Sequence, residues 1–189
     1  MADVLLYHHI RGLTDGVRGF ADILRQGGHT VHTPDLFEGR TFDSIEEGFG
    51  FAREFGFDAI RNRGTAVADE LGPALVYGGF SFGVTIAQRL AQTRPGARGA
   101  LLMYSCLPVS EFGQTWPKEV PVQIHGKESD EFFDEDLPAA RELAGSTAGA
   151  ELFVYPGDQH LFADSSLAAY DPKAAALLME RVQAFLASV

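Results

Sequence analysis

Residues 75–92, near the middle of the chain, constrain the fold more than any other stretch. Residues typical of β-strands (75–77) run into two glycines, and residues 79–83 then read Gly-Phe-Ser-Phe-Gly. A helix-like run follows over residues 84–92. Side chains at the flanking glycines would collide with the backbone of a sharp turn. The stretch therefore predicts a strand, a tight turn carrying Ser81, and a helix. The plainer interpretation is an ordinary strand–helix turn whose serine faces solvent.

Strand-like and helix-like segments alternate along the whole chain. Strand patterns cover residues 2–7, 29–33, 75–77, 97–104, 120–126 and 150–155. Helix patterns cover residues 17–26, 42–57, 58–71, 84–92 and 137–144, and a last helix opens at Pro172. Such alternation predicts an α/β fold: a three-layer sandwich in which a mostly parallel sheet carries helices on both faces. The length of 189 residues with 46% hydrophobic content suits a single domain, residues 1–189.

Composition and charge limit the binding partners and the cellular location that we expect for the protein. The net charge of −11 disfavours nucleic acid and anionic membranes as partners. The N-terminal apolar run, residues 4–7, is too short for a signal peptide or a membrane span. One cysteine, Cys106, excludes an internal disulfide and suits a reducing cytoplasm, where we expect a structural thiol at a strand end. We expect a cytoplasmic monomer or small homo-oligomer.

The sequence contains no motif for a cofactor or a metal ion. There is no G-x-G-x-x-G pattern and no P-loop, so no cofactor is expected. The adjacent His8 and His9 lie in an extended loop, where neighbouring side chains point apart, and no H-x-x-x-H pattern or cysteine partner accompanies them. We therefore expect no metal site.

A serine hydroxyl needs a base to become a nucleophile, and the base needs an orienting acid. In parallel sheets such groups gather in the loops that leave the carboxyl ends of the strands. Two histidines follow Ser81 in the sequence. His125 ends a strand beside a glycine and is expected to pack beneath the site. His160, in the loop after the last strand, is the favoured base, although it could be a plain surface histidine.

The acid should come from the loop after the fifth strand. Its candidates are Glu128, Asp130, Glu131 and Asp134. Asp130 is favoured because it directly precedes Phe132 and Phe133, which can pack and fix the loop. Asp158 lies only two residues from His160 and is less suited to reach the far ring nitrogen. The remaining acidic residues of this run are expected to form a solvated face.

An oxyanion intermediate needs two backbone N–H donors. One should be the N–H of Phe82, the residue after the candidate nucleophile. The other should come from the loop after the first strand, residues 8–12, where Ile10 is the favoured donor.

Taken together, these motifs resemble the dienelactone hydrolase family, a compact branch of the α/β-hydrolases. The resemblance rests on residues 8–13, 34–37, 79–83, 125–126 with 130–132, 157–162 and 165–166. It implies an α/β-hydrolase fold and a catalytic triad of Ser81, Asp130 and His160. It also implies hydrolysis of a small ester or lactone through an acyl-enzyme. A non-catalytic relative that binds a small ligand in the same cleft is the alternative.

The chain departs from the family's best-known members at three positions. Ser81 stands where they have a cysteine, His9 where they have a glutamate, and Asp164 where an arginine binds the substrate carboxylate. The residues expected to contact substrate are His9, Arg11, Phe37 and Asp164. Asp164 would place a negative charge in the cleft, so we expect neutral or cationic esters to be preferred over carboxylate-bearing lactones. Arg11 could offset this charge, and Asp164 could instead simply face solvent.

Overall fold

The computed structural model describes residues 1–189 and contains one six-stranded sheet. The strands are β1 Asp3–Tyr7, β2 Thr30–His32, β3 Val76–Phe80, β4 Gly99–Met103, β5 Val122–Lys127 and β6 Ala150–Tyr155. Every pair of neighbours is parallel, and the spatial order is β2-β1-β3-β4-β5-β6. The predicted α/β fold with a parallel sheet is confirmed.

Helices cover both faces of this sheet. They are α1 Asp15–Gln26, α2 Ile45–Phe55, α3 Phe57–Leu71, α4 Val84–Thr93, α5 Glu131–Ser146 and α6 Pro172–Ser188. One apolar core lies between the sheet and α2 to α5, and a second lies between the sheet and α1 and α6. The central strands β3 and β4 are buried at every position, which explains their unbroken small and apolar sequences. None of the helices combines the length and the apolarity that crossing a membrane requires.

The sheet order reverses direction between β1 and β3. After β1 the chain moves outward to β2, and from β3 onward it proceeds in the opposite direction through β4, β5 and β6. The loops that leave β1 and β3 therefore separate at their carboxyl ends, where parallel sheets form their binding crevices. These two loops carry residues 8–12 and Ser81.

Helix α5 begins six residues before the expected start at residue 137, and that expectation is wrong. Asp130 caps the helix, because its Oδ1 accepts a hydrogen bond from the N–H of Phe132 at 3.1 Å. The acidic residues Glu131 and Asp134 lie in the first turn, where negative charge is favoured by the helix dipole. The acidic run thus forms the start of a helix and not a loop, and the helix continues past Pro138.

Candidate active site

Ser81 lies on a strained turn between β3 and α4. Its φ is +48°, a left-handed conformation that residues other than glycine rarely adopt. Two glycines make this turn sterically possible. A Cβ atom on Gly79 would collide with the backbone of Gly83, and one on Gly83 would lie 2.5 Å from the carbonyl oxygen of Tyr7. The predicted strand, tight turn and helix are confirmed, and the turn lifts the Ser81 side chain into the crevice.

Three predicted side chains meet in a hydrogen-bonded row at this turn. The Oγ of Ser81 is 2.9 Å from Nε2 of His160, and Nδ1 of His160 is 2.6 Å from Oδ2 of Asp130. Asp130 is buried, with 1% of its surface exposed. With its proton on Nδ1, the imidazole donates to Asp130, and its Nε2 accepts from the Ser81 hydroxyl. Asp158 is not part of the row, since its Oδ1 accepts from Nε2 of Gln159.

Aromatic rings hold the His160 imidazole in place. The ring of Phe132 lies 4.8 Å from it, and the ring of Tyr104 lies 5.7 Å from it, centroid to centroid. The Tyr104 hydroxyl accepts a hydrogen bond from the N–H of Ala163, which fixes the loop after His160. Phe133 is buried over Gly126, where a Cβ atom would collide with its ring. The two phenylalanines therefore fix the loop that carries Asp130.

The loop after β1 lies directly against the turn of Ser81. The carbonyl oxygens of Tyr7 and His8 would each lie within 2.7 Å of a Cβ atom at Gly83. Within this loop the N–H of Gly12 donates to the carbonyl of His9 at 3.0 Å, so the chain turns tightly around Ile10. The N–H of Ile10 donates no hydrogen bond within the protein, which leaves it free to bind a developing oxyanion.

A cleft of about 360 Å³ opens beside Ser81. Five of its eleven lining residues are aromatic: Phe49, Phe57, Phe82, Tyr104 and Phe132. Three more carry a hydroxyl, Ser81, Thr85 and Ser105, and three are charged, Arg61, Glu135 and Asp136. The Oδ2 of Asp136 accepts hydrogen bonds from the Ser105 hydroxyl and the Cys106 N–H, whereas Glu135 is exposed. The formal charge of this lining, one arginine against two carboxylates, is −1.

None of the four residues expected to contact substrate lines this cleft. Phe37 is fully buried among aromatic rings, and Nε of Arg11 donates to the carbonyl of Phe42 at 2.9 Å. His9 is fully buried, and Asp164 is only 4% exposed. Their side chains meet each other, with 2.8 Å between Nε2 of His9 and Oδ2 of Asp164. The expected charge of Asp164 in the cleft is therefore wrong, because its carboxylate is buried and held by His9, Thr14 and Ser166.

Sequence reasoning missed the charged residues that do line the cleft. Phe132, Glu135 and Asp136 are spaced i, i+3 and i+4, so they share one face of α5. Recognising that the acidic run was helical would have placed both carboxylates beside Phe132. Arg61 of α3 reaches the cleft from the opposite wall, and nothing in its local sequence indicates that position.

Three further histidines, His8, His9 and His125, are fully buried. Nε2 of His8 accepts from the N–H of Leu36, and His9 points instead to Asp164, so the two neighbours diverge as predicted. His125 is not part of the row of Ser81, His160 and Asp130, and its Nδ1 lies 2.9 Å from the hydroxyl of Tyr155. Burial lowers the pKa of His8 to about 4 and that of His125 to about 3. No group of three His, Cys, Asp or Glu side chains is arranged to hold a metal ion.

The comparisons with known proteins agree with this fold. The model of the dienelactone hydrolase family matches residues 2–189. A dienelactone hydrolase-like promiscuous phosphotriesterase from metagenomic libraries superimposes with a TM-score of 0.77 at 17% identity, over 100% of this chain and 86% of its own. Dienelactone hydrolase from Anabaena variabilis ATCC 29413 gives 0.67 at 18% identity, over 100% and 86%.

A cold-adapted esterase from an Arctic intertidal metagenomic library also has this fold. Its TM-score is 0.60 at 20% identity, over 98% of this chain and 82% of its own. At these identities the three structures establish the fold only. Comparison with curated protein sequences finds no significant match.

Proposed function

Because the chain belongs to the dienelactone hydrolase family of α/β-hydrolases, we propose that it is a serine hydrolase that cleaves a small ester, lactone or thioester. The observation that carries this proposal is the row of Ser81, His160 and Asp130, with separations of 2.9 and 2.6 Å. These are the contacts that a nucleophile, its general base and an orienting acid require.

The first half of the reaction forms an acyl-enzyme. As the Oγ of Ser81 attacks the carbonyl carbon of the substrate, Nε2 of His160 takes the serine proton. Asp130 stabilises the resulting imidazolium through Nδ1. The carbonyl oxygen becomes an oxyanion that the N–H groups of Ile10 and Phe82 stabilise. When the tetrahedral intermediate collapses, the bond to the leaving group breaks, and His160 returns the proton to that group.

The second half releases the acyl group. A water molecule gives a proton to Nε2 of His160 and attacks the acyl carbon, which forms a second oxyanion in the same place. Collapse of this intermediate breaks the bond to Oγ of Ser81, and the proton on His160 returns to Oγ. A lactone follows the same two steps, except that its leaving hydroxyl stays attached to the acyl group.

The cleft supports a neutral, apolar substrate. Five aromatic rings line it, and its volume of about 360 Å³ limits the size of the acyl and leaving groups. The two carboxylates of α5 would repel a substrate carboxylate, whereas Nη1 of Arg61 is engaged with Asp58 at 3.1 Å. We therefore propose a preference for neutral esters over carboxylate-bearing ones. The charges responsible for this preference are those of Glu135 and Asp136, because Asp164 does not line the cleft.

Reaction with a fluorophosphonate probe tests the proposed function. An activated serine attacks the phosphorus and is labelled once per molecule, so wild type should be labelled to one equivalent and folded Ser81→Ala should not. Hydrolysis of short neutral acyl esters should fall by about 10⁴- to 10⁶-fold in Ser81→Ala. A wild-type protein that is folded yet neither labelled nor active would be a ligand-binding relative, and the proposal would be wrong.

A further inference from the structure

Two loops from opposite ends of the chain are joined by one buried contact. His9 lies in the loop after β1, directly before Ile10, and Asp164 lies four residues after His160. Nε2 of His9 is 2.8 Å from Oδ2 of Asp164, and the side chains are 0% and 2% exposed. Neither side chain reaches the cleft or contacts Ser81.

Each side-chain nitrogen and oxygen atom of this pair has a hydrogen-bond partner. Besides His9, the carboxylate of Asp164 accepts from the hydroxyls of Thr14 at 2.5 Å and Ser166 at 2.6 Å, and from the N–H of Ser166 at 2.9 Å. Burial alone would raise the pKa of Asp164, but these donors and His9 together lower it to about 2. Asp164 is therefore ionised at neutral pH.

The tautomer of His9 is fixed as well. Its Nδ1 accepts from the N–H of Arg11 at 3.3 Å, so its proton lies on Nε2 and is donated to Asp164. Burial lowers the pKa of His9, which keeps the ring neutral. The ring thus connects the carboxylate of Asp164 to the backbone N–H of Arg11, the residue after Ile10.

Each partner also closes a turn next to the proposed catalytic groups. The carbonyl of His9 accepts from the N–H of Gly12 at 3.0 Å, which ties the chain around Ile10. The N–H of Asp164 donates to the carbonyl of Leu161 at 3.0 Å, and Leu161, with φ +60°, directly follows His160. The contact therefore joins the turn that presents the Ile10 N–H to the turn that presents the His160 ring.

We propose that His9 and Asp164 are positioning residues that hold the oxyanion donor of Ile10 in register with the base His160. This inference rests on the proposed function, since register matters only if both groups act on one substrate. Stability alone does not account for the pair. Burying an ion costs desolvation energy, and a well-packed apolar pair of similar volume is often at least as stable.

Three single variants and one double variant test the pair. His9→Phe keeps a ring of similar size but loses both hydrogen bonds, and Asp164→Asn loses the charge. Each should lower kcat about 10- to 100-fold with little change in KM, because a misplaced donor and base weaken interactions made only in the transition state. His9→Gln can still donate to Asp164 and should recover part of the loss. The double variant His9→Phe/Asp164→Asn should lose little more than the worse single variant, as residues that act as a unit do.

A second histidine–aspartate pair with the same separation serves as the control. Nε2 of His32, at the end of β2, is 2.8 Å from Oδ1 of Asp3, at the start of β1, with side chains 31% and 44% exposed. His32→Phe and Asp3→Asn should leave kcat unchanged.

Fluorophosphonate labelling separates positioning from folding. A positioning role lowers the rate of labelling but leaves its endpoint at one equivalent, whereas misfolding lowers the endpoint. Wild-type kcat per labelled molecule in Asp164→Asn and His9→Phe would overturn the inference and leave the proposed function intact. Failure of wild type itself to label would instead refute the proposed function. A loss of kcat in the control pair equal to that in His9→Phe would also overturn the inference.

Discussion

At the scale of single residues, Asp130 uses its two carboxylate oxygens for different purposes. Oδ1 caps helix α5 through the N–H of Phe132, and Oδ2 accepts from Nδ1 of His160. One side chain therefore ties the orientation of the proposed base to the start of a helix. The two roles can be separated, because asparagine caps helices about as well as aspartate does.

We expect Asp130→Asn to fold with nearly wild-type stability and to lose most of its activity. A neutral amide favours the wrong imidazole tautomer, and in a serine protease the corresponding change lowers kcat roughly 10⁴-fold. Asp130→Ala should lose a comparable amount of activity and also about 1 kcal/mol of stability, because the helix cap is gone. The measurements are kcat and the free energy of unfolding in denaturant.

Asp158→Asn is the control for this prediction. Its carboxylate contacts only the neighbouring Gln159 side chain, so the variant should keep wild-type kcat. A larger loss of activity in Asp158→Asn than in Asp130→Asn would mean that the orienting acid has been misidentified.

At the scale of secondary-structure elements, helix α5 contributes side chains both to the apolar core and to the lining of the cleft. Phe133, Ala140 and Leu143 are buried against the sheet, whereas Phe132, Glu135 and Asp136 face Ser81. Asp136 is tied to the Ser105 hydroxyl and the Cys106 backbone, so Glu135 is the charge that can be changed with the least structural effect.

We expect Glu135→Gln to raise kcat/KM for a carboxylate-bearing ester relative to its neutral analogue. The change should be about fivefold at most, because Glu135 is exposed and water screens its charge. Added salt should reduce the difference between wild type and variant. Asp134→Asn removes an exposed charge from the same helix outside the cleft and should leave the ratio unchanged. An unchanged ratio in Glu135→Gln would show that this wall does not select substrate charge.

The elements also show what could be predicted from sequence. The alternation of strands and helices fixes which loops share the carboxyl edge, and this was enough to bring Ser81, Asp130 and His160 together. It does not fix which way a loop side chain turns. Residues 156–171 have no periodicity, so the sequence could not show that Asp164 folds away from the cleft to meet His9. The helical start of α5 was missed because an acidic run before Pro138 reads as a loop, although the helix dipole favours those charges.

At the scale of the whole molecule, three buried histidines make stability depend on pH. Burial lowers the pKa of His8, His9 and His125 below that of a histidine in the unfolded chain, roughly 6.5. Below that pH the unfolded state binds protons that the folded state does not, so stability falls as pH falls. The lowered pKa of Asp164, about 2, acts at lower pH, where its stabilising contribution is lost.

We therefore expect the free energy of unfolding to decrease steadily from about pH 6.5 to about pH 4. Each proton taken up on unfolding contributes about 1.4 kcal/mol per pH unit. Denaturant titrations at pH 7, 5.5 and 4.5 measure the slope. Replacing His125 with phenylalanine keeps a ring stacked on Phe153. It should reduce that slope by the contribution of one proton, about 1.4 kcal/mol per pH unit. A flat profile in wild type would mean that these histidines are protonated in the folded protein.

The contact between residues 9 and 164 also bears on the order in which the protein is made. A ribosome releases the loop after β1 first, but the proposed base and the partner of His9 lie in the last 30 residues, after the final strand β6. A nascent chain that ends before residue 164 lacks the partner of His9, so we expect it to lack the full proposed hydrolytic activity. Turnover of a fluorogenic ester during synthesis should accordingly appear only once the chain extends past residue 164.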